Sequence, residues 1–322
     1  MQLYRSLDAI PADFGPSAVA VGKFDGLHLG HRAMFRQMRE HCAAGGLVPT
    51  VLTFDRNPLA TVRPDVAPPM LASPAQRSEL LDDAQLAAEL MMAFTPEFAA
   101  LTPEQFVTRV LVDALHVKVV FAGADFRFGD KGSGDLAALR DFGERFGFDV
   151  VVIDDLLLDD DTGTPRRVSS TWVRDLIAAG RVREAAVLLG HPPTVRSTVV
   201  TGEQRGRELG YPTANLDPAV EGMLPLDGVY AAWATVEGQR YGAAVSIGNT
   251  PTFDGIPQHQ VEAHLLDQSI DLYGKTIELG FVDYIRPMQK FDGVDALVAQ
   301  LQADEQRIRA VLAQEPGTPP RP

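Results

Sequence analysis

The chain has 322 residues, a formal net charge of −14 and a hydrophobic share of 45%. This length predicts two domains that each bury a core, and the hydrophobic share excludes a wholly disordered chain. The single cysteine, Cys42, excludes an internal disulfide framework and favours a reducing compartment. The sequence has no 18-residue apolar run and no leader-like start, so we expect a cytoplasmic protein without a membrane segment.

The acidic balance also restricts the expected partners. A negative surface repels phosphate backbones, so nucleic acid is not an expected partner. A small phosphate-bearing ligand is still allowed where local groups or a metal neutralise its charge. The sequence leaves the oligomeric state open, a homo-oligomer included.

Short apolar runs alternate with amphipathic segments in the first half of the chain. The apolar runs are 17–22, 47–54, 118–123 and 148–154, and the helical patterns are 31–46, 77–94 and 136–147. This alternation predicts an α/β domain of βαβ units around an open parallel sheet. Ligands of such sheets bind at the carboxyl ends of the strands. The acidic stretch 154–161 is predicted to be a solvated loop.

The pattern changes in the second half. Two short helical segments, 171–180 and 182–190, each end in a glycine, and prolines follow the second one. We therefore predict a domain boundary near residue 190, giving domains 1–190 and 191–322. Beyond it, runs with alternating polarity are separated by Gly, Pro and Asn, which predicts an antiparallel β-barrel. Apolar residues at helical spacing over 294–314 predict a closing helix.

Two histidines flank a glycine directly after the first of these strands, in the segment GKFDGLHLGH (22–31). If a helix starts near Gly30, His28 and His31 fall on one side of its first turn. Gly30 would then let a phosphate approach the backbone N–H groups. The pattern indicates an anion site, although a His-x-x-His metal pair and incidental polar residues at a helix start stay open.

Two further segments have a pattern with more than one interpretation. In VSSTWVR (168–174), the hydroxyl residues can cap a helix whose Arg174 lies one turn further on, and ordinary capping explains them equally well. In QVEAHL (260–265), strand alternation places Val261, Ala263 and Leu265 on one face, with Glu262 and His264 on the other. Glu262 is then either a functional acid or a solvent-facing strand residue.

The segment GEQRGRELGYPTANLD (202–217) combines three glycines with a polar PTAN run. Its glycines permit a tight turn and a close approach of the backbone to a ligand. Glycine-rich loops are a weak phosphate signal, because turns use the same residues.

Taken together, the motifs resemble the prokaryotic bifunctional riboflavin kinase/FAD synthetase family. GKFDGLHLGH resembles the HxGH signature of its nucleotidyltransferase half, and TFDRNPL, FAALTPEQFV, GADFRFGDKGSGD and VSSTWVR follow in the family's order. RGRELGYPTANL resembles the PTAN motif of riboflavin kinases, and VEAH with DLYGK resembles their catalytic strand. The resemblance covers nearly the whole chain. It implies that riboflavin is phosphorylated to FMN and FMN is adenylylated to FAD, with ATP and Mg²⁺ in both reactions.

In the adenylyltransferase half, the resemblance implies that His28 and His31 are catalytic. It implies ATP-binding roles for Gly22, Phe24, Gly30, Ser169, Ser170, Thr171 and Arg174, and flavin-binding roles for Asn57, Asp125, Phe126 and Phe128. The chain departs from the family at TFDRNP, where members commonly have TFDPHP. Arg56 and Asn57 therefore stand in place of a proline and a histidine.

In the kinase half, the resemblance implies that Glu262 accepts the proton of the 5'-hydroxyl of riboflavin. The PTAN residues Thr213 and Asn215 are implied to hold Mg²⁺, and their oxygens are hard neutral ligands of the kind that suits this ion. The ATP-binding residues implied on the same loop are Gly202, Gly206, Gly210, Pro212 and Ala214.

Other functions are weaker interpretations of the sequence. A DNA-binding helix-turn-helix over 171–189 is disfavoured by the net charge and by the few basic residues in that segment. A nucleotidyltransferase acting on a different acceptor would have no use for the PTAN module. A degenerate adenylyltransferase half beside a working flavin kinase stays open, and TFDRNP is its only indication.

Overall fold

The computed structural model of the chain describes residues 1–201, 210–250, 258–268 and 270–314, of which 249, 250, 258 and 259 are described by their backbone only. The chain forms two compact units, Met1–Ser169 and Ser170–Pro322. The domain boundary predicted near residue 190 concerns independent folding and stays a prediction.

The first unit alternates strands and helices. Its strands are β1 (Gln2–Tyr4), β2 (Ser17–Val21), β3 (Val48–Phe54), β4 (Ala88–Met92), β5 (Val117–Gly123), β6 (Asp149–Ile153), β7 (Leu157–Asp159) and β8 (Pro165–Arg167). Its helices are α1 (Leu29–Gly45), α2 (Pro58–Val62), α3 (Pro74–Asp83), α4 (Pro96–Ala99), α5 (Pro103–Phe106), a π-helical stretch Val107–Ala114, and α6 (Leu136–Phe146). Single 3-10 turns cover Leu7–Ala9, Pro64–Val66 and Asp130–Gly132.

Six of these strands form one parallel sheet in the order β1-β4-β3-β2-β5-β6, which confirms the predicted α/β architecture. The central strand β2 is buried along its whole length. Ala18 and Ala20 point into one apolar cluster, while Val19 and Val21 point into the other, so the sheet is covered on both faces. The carboxyl ends of β2, β3 and β5 lie at the same edge of the sheet.

Two local predictions in this unit were wrong. The segment 77–94 was predicted to be helical throughout, but α3 ends at Asp83 and Ala88–Met92 forms β4 in the interior of the sheet. A short apolar run fits a buried strand as well as a helix, so the pattern cannot separate them. The predicted loop 154–161 contains β7, which pairs with β8 in a separate two-stranded hairpin.

The second unit begins with two helices and continues as a barrel. Its elements are α7 (Ser170–Ala178), α8 (Val182–Leu189), β9 (Thr194–Val200), β10 (Ala214–Leu216), β11 (Gly228–Val236), β12 (Gln239–Thr250), β13 (Gln258–Leu265), β14 (Thr276–Arg286) and α9 (Val294–Gln314). The six strands close in the order β10-β13-β12-β11-β14-β9 with antiparallel pairing throughout. The predicted barrel and its closing helix are confirmed.

Helices at both ends of this unit pack on the barrel. Ile308 and Leu312 of α9 belong to an apolar cluster with β11 and β14, and a buried ion pair joins Arg286 to Asp304 at 2.7 Å. Val182 of α8 is fully buried as part of the barrel core. Among the described residues, no helix is both long enough and apolar enough to cross a bilayer.

Candidate active sites

The turn between β2 and α1 has an unusual backbone. Phe24 and Leu27 have φ angles of 48° and 43°, and Gly26 between them has φ 78°. Residues with side chains adopt this left-handed region at a cost, and such residues concentrate at functional sites. Both side chains are buried in the core, which holds the strained turn in place. Helix α1 then starts at Leu29 with His28 as its N-cap, close to the predicted start at Gly30.

His28 and His31 lie together, as the spacing predicted. Their rings stack with centroids 3.7 Å apart and planes at 20°. Both Nδ1 atoms are shielded from solvent and have no hydrogen-bond partner in the described part of the chain. A Cβ atom at residue 30 would lie 3.2 Å from the His28 ring, so Gly30 leaves room for this ring. Buried polar atoms without partners are costly, which suits a surface that completes its hydrogen bonds with a ligand.

Both imidazoles are neutral near pH 7. Burial, together with the charge of Arg167, lowers the pKa of His28 from 6.5 to about 4. Burial also lowers the pKa of His31 well below its ordinary value, with His28, Arg167 and Lys23 adding to the effect. A neutral imidazole donates one hydrogen bond and accepts another. Each ring can therefore donate one hydrogen bond to a phosphate oxygen and accept one at its other nitrogen.

Arg167, at the end of β8, is a charged residue near this site that the sequence analysis missed. Its guanidinium donates to the Asp125 carboxylate at 2.9 and 3.3 Å and pairs with Asp155 at 2.9 Å. This hydrogen bonding lowers the pKa of Asp125. Arg167 directly precedes the VSST segment, but no local pattern distinguishes it from the neighbouring Arg166 of the same exposed hairpin.

Asn57, one of the residues predicted to bind flavin, makes a hydrogen bond within its own loop. Asn57 caps α2, where its Oδ1 accepts from the Leu59 N–H at 3.0 Å. Arg56 pairs with the adjacent Asp55 at 3.0 Å. The two residues that depart from the family pattern therefore each have a partner within their own loop, a hydrogen bond for Asn57 and an ion pair for Arg56.

The aromatic side chains of the predicted flavin segment differ in exposure. Phe128 is buried against Phe106 and stacks on Phe126, with ring centroids 5.7 and 5.5 Å away. Phe126 is half-buried, so its ring has the more accessible surface of the two.

The remaining residues predicted to bind ATP in the adenylyl reaction fall into two groups. Gly22 and Phe24 belong to the turn after β2, where a Cβ atom on Gly22 would lie 2.9 Å from the Phe24 ring. Ser169 is the last residue of the first unit, and Ser170 opens α7. Thr171 and Arg174 are three residues apart on α7, a spacing that places their side chains on one side of the helix.

The second site follows from the strand register of the barrel. Asn215 on β10 is paired directly opposite Glu262 on β13, and Ala214 is paired opposite Ala263. The two alanines point into the barrel core, so Asn215 and Glu262 lie on its outer face. The burial of Val261, Ala263 and Leu265 confirms the predicted alternation.

Hydrogen bonds hold the PTAN segment against β13. Gln260 donates to the Oδ1 atom of Asn215 at 2.9 Å. The Nδ1 atom of His264 lies 2.8 Å from the carbonyl oxygen of Pro212 and donates to it. Glu262 lies between these two residues along β13. The acid is thus on a strand whose neighbouring side chains fix the loop that the sequence analysis predicted to bind ATP.

A cavity of about 540 Å³ opens beside this loop. It is lined by Val199, Pro212, Thr213, Ala214, Ala263, Leu265, Gln268, Ile270, Asp271, Leu272 and Tyr273. Gly210, with φ 81°, is exposed at the start of the segment. Gly202 and Gly206, also predicted to bind ATP, lie outside the described residues. The structure thus brings Pro212, Thr213 and Ala214 to one cavity.

The residues present fit a magnesium ion that arrives with phosphates. No group of three or more His, Cys, Asp or Glu side chains that could hold a metal occurs among the described residues. Thr213, which lines the cavity, and Asn215, which lies on the outer face of β10, each offer a neutral oxygen instead. Mg²⁺ is commonly held by few protein ligands, with phosphate oxygens and water completing its shell.

Both halves of the chain match known protein families. A family model for FAD synthetase matches residues 10–171, and one for riboflavin kinase matches residues 189–312. A bifunctional riboflavin kinase/FMN adenylyltransferase of Listeria monocytogenes is 37% identical over 300 residues, covering 92% of each chain. This chain belongs to the bifunctional riboflavin kinase/FMN adenylyltransferase family.

Other members of the family are similarly close. The Escherichia coli K12 enzyme is 36% identical, covering 90% of this chain and 91% of its own, and that of Pseudomonas fluorescens is 34% identical, covering 97% and 98%. A crystal structure from Streptococcus pneumoniae, described as a macrolide-efflux protein, has 34% identity and a TM-score of 0.84, covering 95% and 98%. The word efflux belongs to the description of that protein and is not transferred to this chain.

Membership of this family gives the chain both activities. It phosphorylates riboflavin to FMN and adenylylates FMN to FAD, and ATP is a substrate of both reactions. The alternative of a degenerate adenylyltransferase half, or of one with a different acceptor, is not favoured, because both family models match the chain and its relatives are named as bifunctional enzymes.

Proposed function

We propose that the two reactions use two separate sites. The adenylyl transfer uses the turn that carries His28 and His31, and the phosphoryl transfer uses the outer face of the barrel at Asn215 and Glu262. The observation that carries this proposal is the stacked, neutral imidazole pair with its two unpartnered nitrogens.

In the adenylyl reaction, a phosphate oxygen of FMN attacks the α-phosphorus of ATP. A new P–O bond forms as the bond to the β-phosphate oxygen breaks, and pyrophosphate leaves. The nucleophile is already ionised, so no strong base is needed, and catalysis consists of positioning and charge stabilisation. His28 and His31 donate hydrogen bonds to the α-phosphate, assisted by the free N–H groups at the start of α1.

The other proposed residues of the adenylyl reaction bind substrates. Gly22, Phe24 and Gly30 shape the turn that receives ATP. The VSST segment with Arg174 binds its phosphates, and Asn57, Asp125, Phe126 and Phe128 bind or support the flavin. Among the aromatic residues, Phe126 has the ring surface to contact it, while buried Phe128 supports Phe126 through the stacking of their rings.

In the kinase reaction, the 5'-hydroxyl of riboflavin attacks the γ-phosphorus of ATP, and ADP leaves. An alkanol is a poor nucleophile, so Glu262 accepts its proton as the bond forms. Thr213 and Asn215 would hold Mg²⁺, which neutralises phosphate charge when bound. Pro212, Ala214 and the glycines of the same loop bind ATP through their backbone.

The proposed location is the cytoplasm, because a single cysteine favours a reducing compartment. Burial raises the pKa of the Cys42 thiol to about 11, so this cysteine is an unreactive core residue. Light scattering of the purified protein would show whether it forms a homo-oligomer.

Replacing Arg174 tests the assignment of the VSST segment. The change Arg174→Ala should raise KM for ATP in the formation of FAD from supplied FMN. The rate of ADP formation from riboflavin should not change, because the kinase has its own ATP loop. Arg183→Ala is the control, since this arginine lies on the neighbouring helix and pairs with Asp283. A defect in riboflavin phosphorylation alone would contradict the assignment.

A further inference from the structure

A buried arginine joins two turns at the carboxyl edge of the parallel sheet. Arg77 lies on α3 and is only 4% exposed. Its Nη2 atom donates to the carbonyl oxygen of Phe54 at 2.6 Å, and its Nη1 atom donates more weakly to that of Lys23 at 3.5 Å. Phe54 ends β3, and Lys23 lies in the turn after β2. One guanidinium thus contacts the backbone of both turns.

The segment that leads into α3 is bound to the same region. The carboxylate of buried Asp25 accepts from the backbone N–H groups of Leu71 and Ala72, at 2.9 and 3.2 Å. A capping box between Ser73 and Gln76 then fixes the start of the helix. The backbone from residue 71 to Arg77 is therefore held against the turn of the two histidines at its beginning and at its end.

The hydroxyl of Thr53 donates to the carbonyl oxygen of Lys23 at 3.3 Å, so this oxygen is contacted by β3 as well as by α3. The turn after β3 is itself fixed by Asp55, whose side chain accepts from the Phe94 N–H at 3.0 Å. Each of the two turns is thus fixed by a hydrogen bond of its own, and Arg77 connects one turn to the other.

Burying a guanidinium is costly, and an apolar side chain would fill the same space at less cost. Burial lowers the pKa of Arg77, while the carboxylates of Glu89, Asp25 and Asp55 act in the opposite direction. The planar fork of an arginine presents donors on two separate nitrogens in a fixed geometry, which neither the single ammonium nitrogen of lysine nor the thioether of methionine can do. A role in geometry accounts for a charged residue at this place.

We propose that Arg77 is a positioning residue for FMN adenylylation. It holds the turn that carries His28 and His31 at a fixed distance from the turn that carries Asn57. This inference rests on the proposed function, because it assumes that these two turns receive ATP and FMN. Arg77 touches neither substrate and acts through the two backbone carbonyls that it binds.

Three variants of the full chain test this role. Arg77→Met removes both hydrogen bonds, and Arg77→Lys keeps the charge but reaches one carbonyl. Leu80→Ala is the matched control, because Leu80 is a buried core residue of the same helix and its loss leaves the link intact. For each variant, kcat and KM are measured for FAD formation from FMN at a temperature where all are folded. Riboflavin phosphorylation is measured in the same samples.

We expect Arg77→Met to lower kcat for FAD formation by about 10²-fold, the size of effect that a misplacement of about 1 Å can cause. Arg77→Lys should recover part of this loss, and Leu80→Ala should stay close to the parent rate. The kinase rate should be unchanged in all three. A loss in Arg77→Met no larger than in Leu80→Ala, or a defect that moves the kinase equally, would overturn the proposal.

Two further outcomes of these experiments also decide the proposal. If Arg77→Met does not fold, Arg77→Lys carries the test, and a kcat equal to that of the parent would overturn the role. A failure of the underlying assignment is recognised independently, because His28→Ala/His31→Ala would then still form FAD at the parent rate whatever the Arg77 variants do.

Discussion

The two halves of the chain build their sites by different means. In the first unit, the histidines stand on a turn beyond the end of a parallel strand, held by buried side chains and by a distant helix. In the barrel, Asn215 and Glu262 are opposite each other through the register of two antiparallel strands. Alternation identifies the face of β13 that carries Glu262, but the pairing of Glu262 with Asn215 follows only from the strand order of the barrel, and the first site depends on side-chain contacts between turns.

The two sites also differ in the charges of their side chains. The first site contains imidazoles that burial keeps neutral, beside the charge of Arg167. The second contains neutral oxygens and one acid on the outer face of a barrel. The comparison predicts that a change at either site alters one reaction only, and that the first unit owes part of its acid sensitivity to its two buried histidines.

Among the single substitutions, the largest effect is expected from Glu262→Gln, which removes the proton acceptor while keeping the shape of the side chain. Riboflavin phosphorylation should fall by about 10²- to 10⁴-fold, the usual contribution of a general base. FAD formation from supplied FMN should continue at the parent rate. A steady-state assay of ADP release checks this, and a kinase rate within a few-fold of the parent would show that Glu262 has another role.

The boundary between the halves can be sharpened with fragments. Val182 is part of the barrel core, and Leu188 and Leu189 are also buried. Each such side chain contributes roughly 1.5–3 kcal/mol by burial. We expect fragment 191–322 to have a clearly lower Tm than fragment 168–322. Equal thermal unfolding curves would instead favour the boundary predicted near residue 190.

Acid stability should depend on the two histidines. The unfolded histidines take up protons below a pH of about 6.5, whereas folded His28 does so only near 4, and burial also holds the pKa of folded His31 well below 6.5. The folded state therefore loses stability as pH falls from about 6.5 towards 4, at up to about 1.4 kcal/mol per pH unit for His28, and His31 acts in the same direction.

The variant His28→Asn/His31→Asn should lose less stability over this pH range than the parent. Both tryptophans, Trp172 and Trp233, belong to the second unit, so the first unit is followed by a method that does not depend on tryptophan. Hydrogen exchange of β2 peptides at pH 7 and pH 5 gives the required free energies. The same loss in parent and variant would mean that the histidines are not held neutral.

A smaller effect is expected at Asn215. The change Asn215→Ala should raise the Mg²⁺ concentration needed for half-maximal kinase rate by about tenfold or more. Gln260→Ala is the matched control, because it removes the 2.9 Å hydrogen bond to Asn215 but leaves the amide oxygen in place. Its shift should be smaller. Identical magnesium titrations of Asn215→Ala and the parent would rule out a metal ligand here.

The sequence predicted those features that depend on local pattern. Alternation identified the buried face of β13, and the spacing of His28 and His31 placed both rings on one turn. The same reasoning failed over 77–94, where a helix and a buried strand follow each other in one apolar stretch.

The contacts that the sequence did not predict are long-range. Arg167 meets Asp125 across 42 residues, and Arg77 meets Lys23 across 54. Nothing in the neighbourhood of either arginine distinguishes it from a surface residue. Such contacts follow from the order of strands in the sheet, which the local pattern does not specify.

The central claim, that the two reactions use independent sites, is tested most directly by a product time course for His28→Ala/His31→Ala. The folded variant is supplied with riboflavin, ATP and Mg²⁺, and FMN and FAD are separated by chromatography. Each lost donor is worth about 10²- to 10³-fold in rate if it acts as an oxyanion-hole donor does. We predict that FMN accumulates at the parent rate while little FAD forms. Loss of both products, or FAD formation at the parent rate, would contradict the claim.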